Sequence, residues 1–340
     1  MENRKKKVCI LYTGGTIGMI PSDQGYVPAQ GKLKMVLDGV QAMHHPDLPE
    51  WDLVEFYPLL DSSDIAVREW NEIGRTIARL YQGYDGFVVL HGTDTMAYSA
   101  SALSFMLENL SKPVIFTGSQ IPISQLRSDG IDNIVNSVVI AASDKVHEVC
   151  LYFDGKLMRG NRSTKISSDQ FGAFSSPNFP HLAEAGISIR YFDNLLLPAS
   201  EKPFRFQEFQ EIPIGVLKIF PGIQFELFES IMTEKLRGVV LETFGAGNIP
   251  SYNHALLPII KKAYLSGTII TVCSQCAQGT VSLGAYATSK ALQEVDAVSG
   301  VDMTTEAAVT KMYYLFSRGL SKEEIKEKMS RDLRGELSCE

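Results

Sequence analysis

The sequence predicts an α/β protein built as two domains, and three observations carry that reading. Up to about residue 190, short apolar runs alternate with segments whose apolar residues recur at helical spacing, the pattern of βαβ units. From about Tyr191 to Pro213 the rhythm stops, in a stretch holding Pro198, Pro203 and Pro213 among mixed charges, and then it resumes. A chain of 340 residues also suits two cores better than one. The expected plan is a larger N-terminal α/β domain over 1–190, a linker over 191–213 and a smaller C-terminal α/β domain over 214–340.

In the first domain the strand candidates are 8–12, 52–57, 87–91, 113–117 and 148–153, each short and apolar. Between them, Val67 to Tyr81 spaces Trp70, Ile73, Ile77 and Leu80 as one helical face. Ala97 to Leu110 and Ile131 to Ala142 read as helices in the same way. Lys112-Pro113 marks a helix-to-strand edge, because the residue before proline avoids the helical region. In the second domain, strands are expected near 214–220, 238–242 and 268–273, with helices near 224–232 and 253–265. Two C-terminal helices follow, about 304–318 and 321–329, the second opened by a Ser321-Lys322-Glu323-Glu324 capping box.

Composition narrows the function. The chain is 45% hydrophobic and 21% charged, with a net charge of -7, which argues against a nucleic-acid binder. The only basic run, Arg4-Lys5-Lys6-Lys7, reads as a solvated terminus, since the apolar stretch behind it is too short for a secretory h-region. No run approaches a membrane span. The protein is expected to be soluble and cytoplasmic. Five cysteines, three of them in or beside strand-like runs, fit buried thiols in a reducing compartment. Cys273-Ser274-Gln275-Cys276 lacks the second pair a zinc site needs, and the six histidines form no ligand pattern. His91 reads as structural.

The chemistry concentrates at strand ends, where open α/β sheets bind ligands. Thr13-Gly14-Gly15-Thr16-Ile17-Gly18 follows the first strand and His91-Gly92-Thr93-Asp94-Thr95 follows the third. Neither phosphate-binding glycine pattern is present, which disfavours a nucleotide site. Thr16 is either a nucleophile served by a nearby base or a turn threonine bonding its own backbone. Thr93 and Asp94 are either helix caps or groups that bind an ammonium and align a proton path. Asp61-Ser62-Ser63-Asp64 can receive an ammonium and a carboxylate, or can cap the helix before Trp70. Lys165, ending Arg159-Gly160-Asn161-Arg162-Ser163-Thr164-Lys165, can tune a proton relay or simply be solvated. Tyr26, in Gly25-Tyr26-Val27-Pro28, is a candidate phenol base on a mobile flap. The ensemble suits a zwitterionic substrate and a threonine-dependent acyl transfer.

These residues together resemble the bacterial-type L-asparaginases of the cytoplasmic type I branch. The resemblance rests on Tyr12-Thr13-Gly14-Gly15-Thr16-Ile17-Gly18, on Leu90-His91-Gly92-Thr93-Asp94-Thr95-Met96 and on Asp61-Ser62-Ser63-Asp64. Phe116-Thr117-Gly118-Ser119-Gln120, Arg159-Gly160-Asn161-Arg162, Gly245-Ala246-Gly247-Asn248 and Gly300-Val301-Asp302-Met303-Thr304 extend it over roughly residues 7 to 337. It implies a flavodoxin-like parallel-sheet N-terminal domain, a smaller C-terminal α/β domain, and a homodimer or homotetramer in which Asn248 can reach a neighbour's site. It implies hydrolysis of L-asparagine to L-aspartate and ammonia through a β-aspartyl ester on Thr16. Thr93, Lys165 and the flap Tyr26 would be the other catalytic groups. Asp94 and Ser62, helped by Asp61 and Ser63, would hold the α-ammonium and α-carboxylate. No cofactor and no metal are implied. Tyr26 and Lys165 both qualify as first proton acceptor only if their pKa values, near 10 when free, are perturbed.

Two other readings compete. An ammonia-generating amidotransferase subunit on the same core would carry an extra N-terminal domain, whereas the first motif here begins at Thr13. An amino-acid sensor would use Thr16 only as a hydrogen-bond donor. One residue departs from a pattern in the resembled branch, where some members bind a second asparagine as activator in a pocket lined partly by an arginine at the end of the 238–242 strand. Glu242 stands there instead and would repel an effector carboxylate. Rate against asparagine concentration should therefore be hyperbolic; a Hill coefficient clearly above one in steady-state kinetics would contradict this.

Overall fold

The computed structural model describes residues 4–23, 25–250, 255–284 and 287–338. The chain divides into two compact units, Met1–Gln207 and Glu208–Glu340. Both are built of strands and helices, as an α/β chain requires.

The N-terminal unit begins with β1 (Lys7–Gly14), followed by a hairpin of β2 (Met19–Ser22) and β3 (Gly25–Pro28) and by α1 (Lys32–Asp38). Next come β4 (Glu50–Leu60), α2 (Val67–Leu80), β5 (Gly86–Leu90), α3 (Met96–Met106) and β6 (Leu107–Glu108). The unit continues through β7 (Val114–Thr117), α4 (Gly130–Ala141), β8 (Val149–Phe153), β9 (Lys156–Arg159), β10 (Thr164–Lys165) and β11 (Phe174–Ser175). It ends with β12 (Ala183–Ala185), β13 (Ile189–Tyr191) and β14 (Arg205–Phe206). The main sheet runs β13-β12-β9-β8-β7-β5-β1-β4. Its five strands β4-β1-β5-β7-β8 are all parallel, and counted along the chain their order is 2-1-3-4-5, the flavodoxin-like winding.

That winding reverses direction between β1 and β5. Connections leave to opposite sides there, so a crevice opens beyond the carboxyl ends of these two strands. Both faces of the parallel strands are covered, which is why they read as continuous apolar runs rather than alternating ones. Val8, Ile10, Val88 and Ile115 pack against Ile134 and Val138 of α4. On α2, Trp70, Ile73 and Ile77 are buried, and the Trp70 indole donates to Ser99 Oγ of α3 at 3.0 Å.

Beyond β8 the sheet turns antiparallel, and a buried ion pair anchors that turn. Arg159 Nε donates to Glu148 Oε2 at 2.6 Å, with both side chains about 5% exposed or less (5% and 4%). Arg159 Nη2 also donates to Leu195 O at 2.7 Å, and Glu148 Oε1 accepts from Leu197 N at 2.8 Å. The pair thus ties the segment leading to Lys165 to the chain at 195–197.

In the C-terminal unit β15 (Ile214–Lys218), β16 (Gly238–Thr243), β17 (Ile269–Ser274) and β18 (Val298–Ser299) form a parallel sheet in chain order. Its helices are α5 (Leu256–Leu265), α6 (Ala287–Glu294), α7 (Thr305–Ser317) and α8 (Lys322–Met329). Ser321 caps α8 with the reciprocal Glu324 bond expected from the sequence. No helix among the described residues is long and apolar enough to cross a membrane.

Two expected helices are corrected. Residues 224–232 are not one α-helix: a 3-10 turn spans Phe225–Phe228, only Glu229 and Ser230 are α-helical, and a π-helical turn spans Ile231–Lys235. Here the Thr233 hydroxyl takes the Glu229 carbonyl at 2.9 Å, in competition with backbone donors. The helix expected over 97–110 stops at Met106, because Leu107 and Glu108 pair with Phe206 and Arg205 as antiparallel strands. Part of the helix expected over 253–265 lies outside the described residues; the observed α5 starts at Leu256.

Removing one partner of the buried pair strands the other charge. Glu148→Ala should therefore cost about 3–5 kcal/mol of stability, read as a lower urea midpoint of the full chain. An unchanged midpoint would show that Arg159 finds water or another acceptor.

Candidate active site

Two loops meet at the crevice between β1 and β5, and glycines make the meeting possible. The Thr13 hydroxyl donates to Leu90 O at 2.9 Å, tying the end of β1 to the end of β5. Gly15 then takes φ +89, a left-handed conformation suited to glycine, and a Cβ there would lie 2.4 Å from Gly92 N. Gly92 is pressed from another side: a Cβ on it would lie 2.4 Å from Ser62 Oγ. Thr16 follows Gly15 in a 3-10 turn, Thr16–Gly18, in which Ile17 and Gly18 are buried while Thr16 is half-buried. Its hydroxyl has no hydrogen-bond partner among the described residues, so it does not bond its own turn.

Thr93 and Asp94 do not cap α3. The residue at that helix start is Thr95, whose hydroxyl instead donates to Ser62 O at 2.6 Å. Both candidates turn to Lys165. Its ammonium donates to Thr93 Oγ1 at 2.9 Å and to Asp94 Oδ1 at 2.7 Å. Thr93 is buried, and the lysine side chain is 18% exposed against 65% for Asp94. The lysine sits on β10, where it pairs with Phe174 of β11. Because Thr93 Oγ1 accepts from the ammonium, its own proton remains available for donation.

At the end of β4, Asp61 caps a 3-10 turn over Ser62–Asp64 rather than the helix before Trp70. Its Oδ1 accepts from Ser63 N and Ser63 Oγ, both at 2.9 Å. Ser62 is buried against Gly92, while Ser63 is exposed. The start of α2 is capped differently, by the Glu69 side chain accepting from Ala66 N at 3.0 Å.

Tyr26 lies on β3 of the hairpin that directly follows the Thr16 turn, and it is 47% exposed. Its hydroxyl accepts from Gln125 Nε2 and bonds none of Thr16, Thr93 or Lys165. Gln125 escaped sequence reasoning. It belongs to a loop joined to the Thr16 turn by Ile123 N donating to Ile17 O at 3.0 Å, a long-range contact with no local signal. The hydrogen bonds thus bring Thr93, Asp94 and Lys165 together. They leave the Thr16 hydroxyl, on the loop that abuts Gly92, unengaged and hold Tyr26 on a separate latch.

Among the described residues no group of three or more His, Cys, Asp or Glu side chains is arranged to hold a metal. In the C-terminal unit, Glu242 Oε1 accepts from Thr305 Oγ1 at 2.6 Å, with Lys218 Nζ 3.9 Å from Oε2.

Known proteins resemble this chain in sequence and fold. Residues 7–197 match the family model "Asparaginase, N-terminal" and residues 213–329 match "Glutaminase/Asparaginase C-terminal domain". L-asparaginase 1 of Escherichia coli is 46% identical over 335 residues, 98% of this chain and 99% of that one. The crystal structure of L-asparaginase I from Vibrio cholerae superposes with a TM-score of 0.92 at 46% identity, covering 98% of this chain and all (100%) of that one. The thermostable L-asparaginase from Thermococcus kodakarensis gives a TM-score of 0.90 at 29% identity over 98% of this chain and 100% of its own. With both domains matched in order and nearly every residue covered, the chain belongs to the asparaginase family.

Proposed function

We propose that the protein hydrolyses L-asparagine to L-aspartate and ammonia, with Thr16 as nucleophile. The observation that carries this reading is the bridge from Lys165 to Thr93 and Asp94, with an unengaged threonine hydroxyl on the glycine loop that abuts Gly92 at the sheet's switch point. In the first step Thr16 Oγ1 attacks the side-chain carboxamide carbon and its proton leaves to a base. The tetrahedral intermediate collapses, the C–N bond breaks, and the amide nitrogen gains a proton to depart as ammonia. In the second step water attacks the resulting β-aspartyl ester, and Thr16 leaves with its proton restored.

Thr93 and Lys165 form the proton path in this scheme. Thr93, accepting from the Lys165 ammonium, relays a proton from it to the departing nitrogen, and the neutral amine left behind takes the proton back from the water that Thr93 aligns. Asp94 has two oxygens with separate duties. Oδ1 holds the lysine, and the exposed remainder of the carboxylate is open to an α-ammonium. Ser62 receives the α-carboxylate, while Asp61 and Ser63 brace the turn that presents it. Tyr26 joins when the hairpin releases Gln125 and swings its phenol toward Thr16, which closes the site against water. No cofactor or metal enters the scheme. Buried free thiols at Cys9, Cys150 and Cys273 suit a reducing compartment, so we place the reaction in the cytoplasm, in a homodimer or homotetramer.

An ammonia-release assay with asparagine and glutamine side by side tests the proposal. Thr16→Ala should lower kcat by roughly three orders of magnitude or more, and Lys165→Met by about 10²–10⁴-fold. Ammonia release by Thr16→Ala at the wild-type rate would reject Thr16 as nucleophile. Preference for asparagine over glutamine, one methylene longer, should correspond to about 1–3 kcal/mol if pocket size alone discriminates.

A further inference from the structure

His91 lies directly behind the reacting loop, and its packing is not that of a space-filling side chain. The imidazole is 1% exposed and tilted against the Phe116 ring at a centroid distance of 5.8 Å. Its Nδ1 is 2.7 Å from the carbonyl oxygen of Gly92, while Nε2 is buried with no partner among the described residues. Burial pushes the imidazole pKa down to about 4, so the ring is neutral at any working pH near 7. A neutral ring carries one proton and a carbonyl can only accept. The proton therefore belongs on Nδ1, since the other tautomer would face two lone pairs at 2.7 Å. An apolar residue would fill this place without stranding an acceptor, so whatever keeps histidine here acts through Nδ1.

The carbonyl it holds is one end of the peptide unit whose other end is the Thr93 nitrogen. Peptide units are planar, so fixing the oxygen fixes the plane from which the Thr93 side chain departs. Gly15 and Ser62 already press on Gly92 from either side and set the place of its Cα. Those contacts lie at Gly92 N and Cα, not at its carbonyl oxygen, which the imidazole reaches.

We propose that His91 is a positioning residue whose Nδ1–H holds the Gly92–Thr93 peptide in the orientation that seats the Thr93 hydroxyl on Lys165. This rests on the reading of Thr93 and Lys165 as the proton path. Three variants of the full chain separate donor position from bulk. In His91→Asn the side-chain amide nitrogen falls where Nδ1 was. His91→Gln puts its polar end near Nε2 instead, and His91→Leu has no donor. His91→Asn should keep kcat within about threefold of wild type, while His91→Gln and His91→Leu lose about 10–100-fold in kcat with KM little changed. Wild-type kcat in the Gln and Leu variants, or equal losses in Asn and Gln, would overturn the proposal. A wild-type protein that released no ammonia would instead defeat the proposed function. The crystal structure of His91→Leu then decides on geometry alone. A rotated Gly92–Thr93 peptide and a broken Lys165–Thr93 bond support the proposal; an unmoved peptide overturns it.

Discussion

Backbone-to-backbone contact between Gly15 and Gly92 is the constraint on which the rest of the site depends. A single methyl at Gly15 would overlap Gly92 N at 2.4 Å, and one at Gly92 would overlap Ser62 Oγ at the same distance. Three loops from β1, β4 and β5 therefore approach more closely than side chains normally permit. The approach sets the loops that carry Thr16, Ser62 and Thr93 side by side at the strand ends. Cross-links then secure it: Thr13 to Leu90 O, and Thr95 to Ser62 O.

Lysine reaches this cluster from a different part of the sheet. Parallel strands end in the same direction and supply the threonines and carboxylates. Lys165 comes from the antiparallel extension beyond β8, whose return is fixed by the buried Glu148–Arg159 pair. A long flexible amine would lose side-chain entropy on being held, and two acceptors at 2.9 and 2.7 Å offset that loss. Partial burial of the lysine, with Asp94 left mostly exposed, keeps one face of the carboxylate available to solvent or substrate.

Several residues carry a local duty and a site duty at once. Asp61 caps a 3-10 turn and thereby presents Ser62. His91 continues the β5 ladder, donating its backbone N–H to Thr117 O at 2.9 Å, while its ring grips the next carbonyl. Tyr26 is tethered to Gln125 on a two-stranded hairpin none of whose residues is fully buried.

Local sequence determined the parallel strands, the amphipathic helix from Val67 and the glycine-rich turns, because periodicity, burial of apolar runs and turn chemistry act over a few residues. It also marked Thr16, Thr93, Asp94 and Lys165 as polar groups at strand exits. It left open whether Thr93 and Asp94 were caps, and that was decided by a lysine 72 residues away in sequence from Thr93. The same holds for the end of α3 at Met106, imposed by pairing with Phe206, and for the Gln125 latch on Tyr26. Only the tertiary structure decided these, since a hydrogen bond or strand pairing between distant segments leaves no periodic or local trace in the residues that make it.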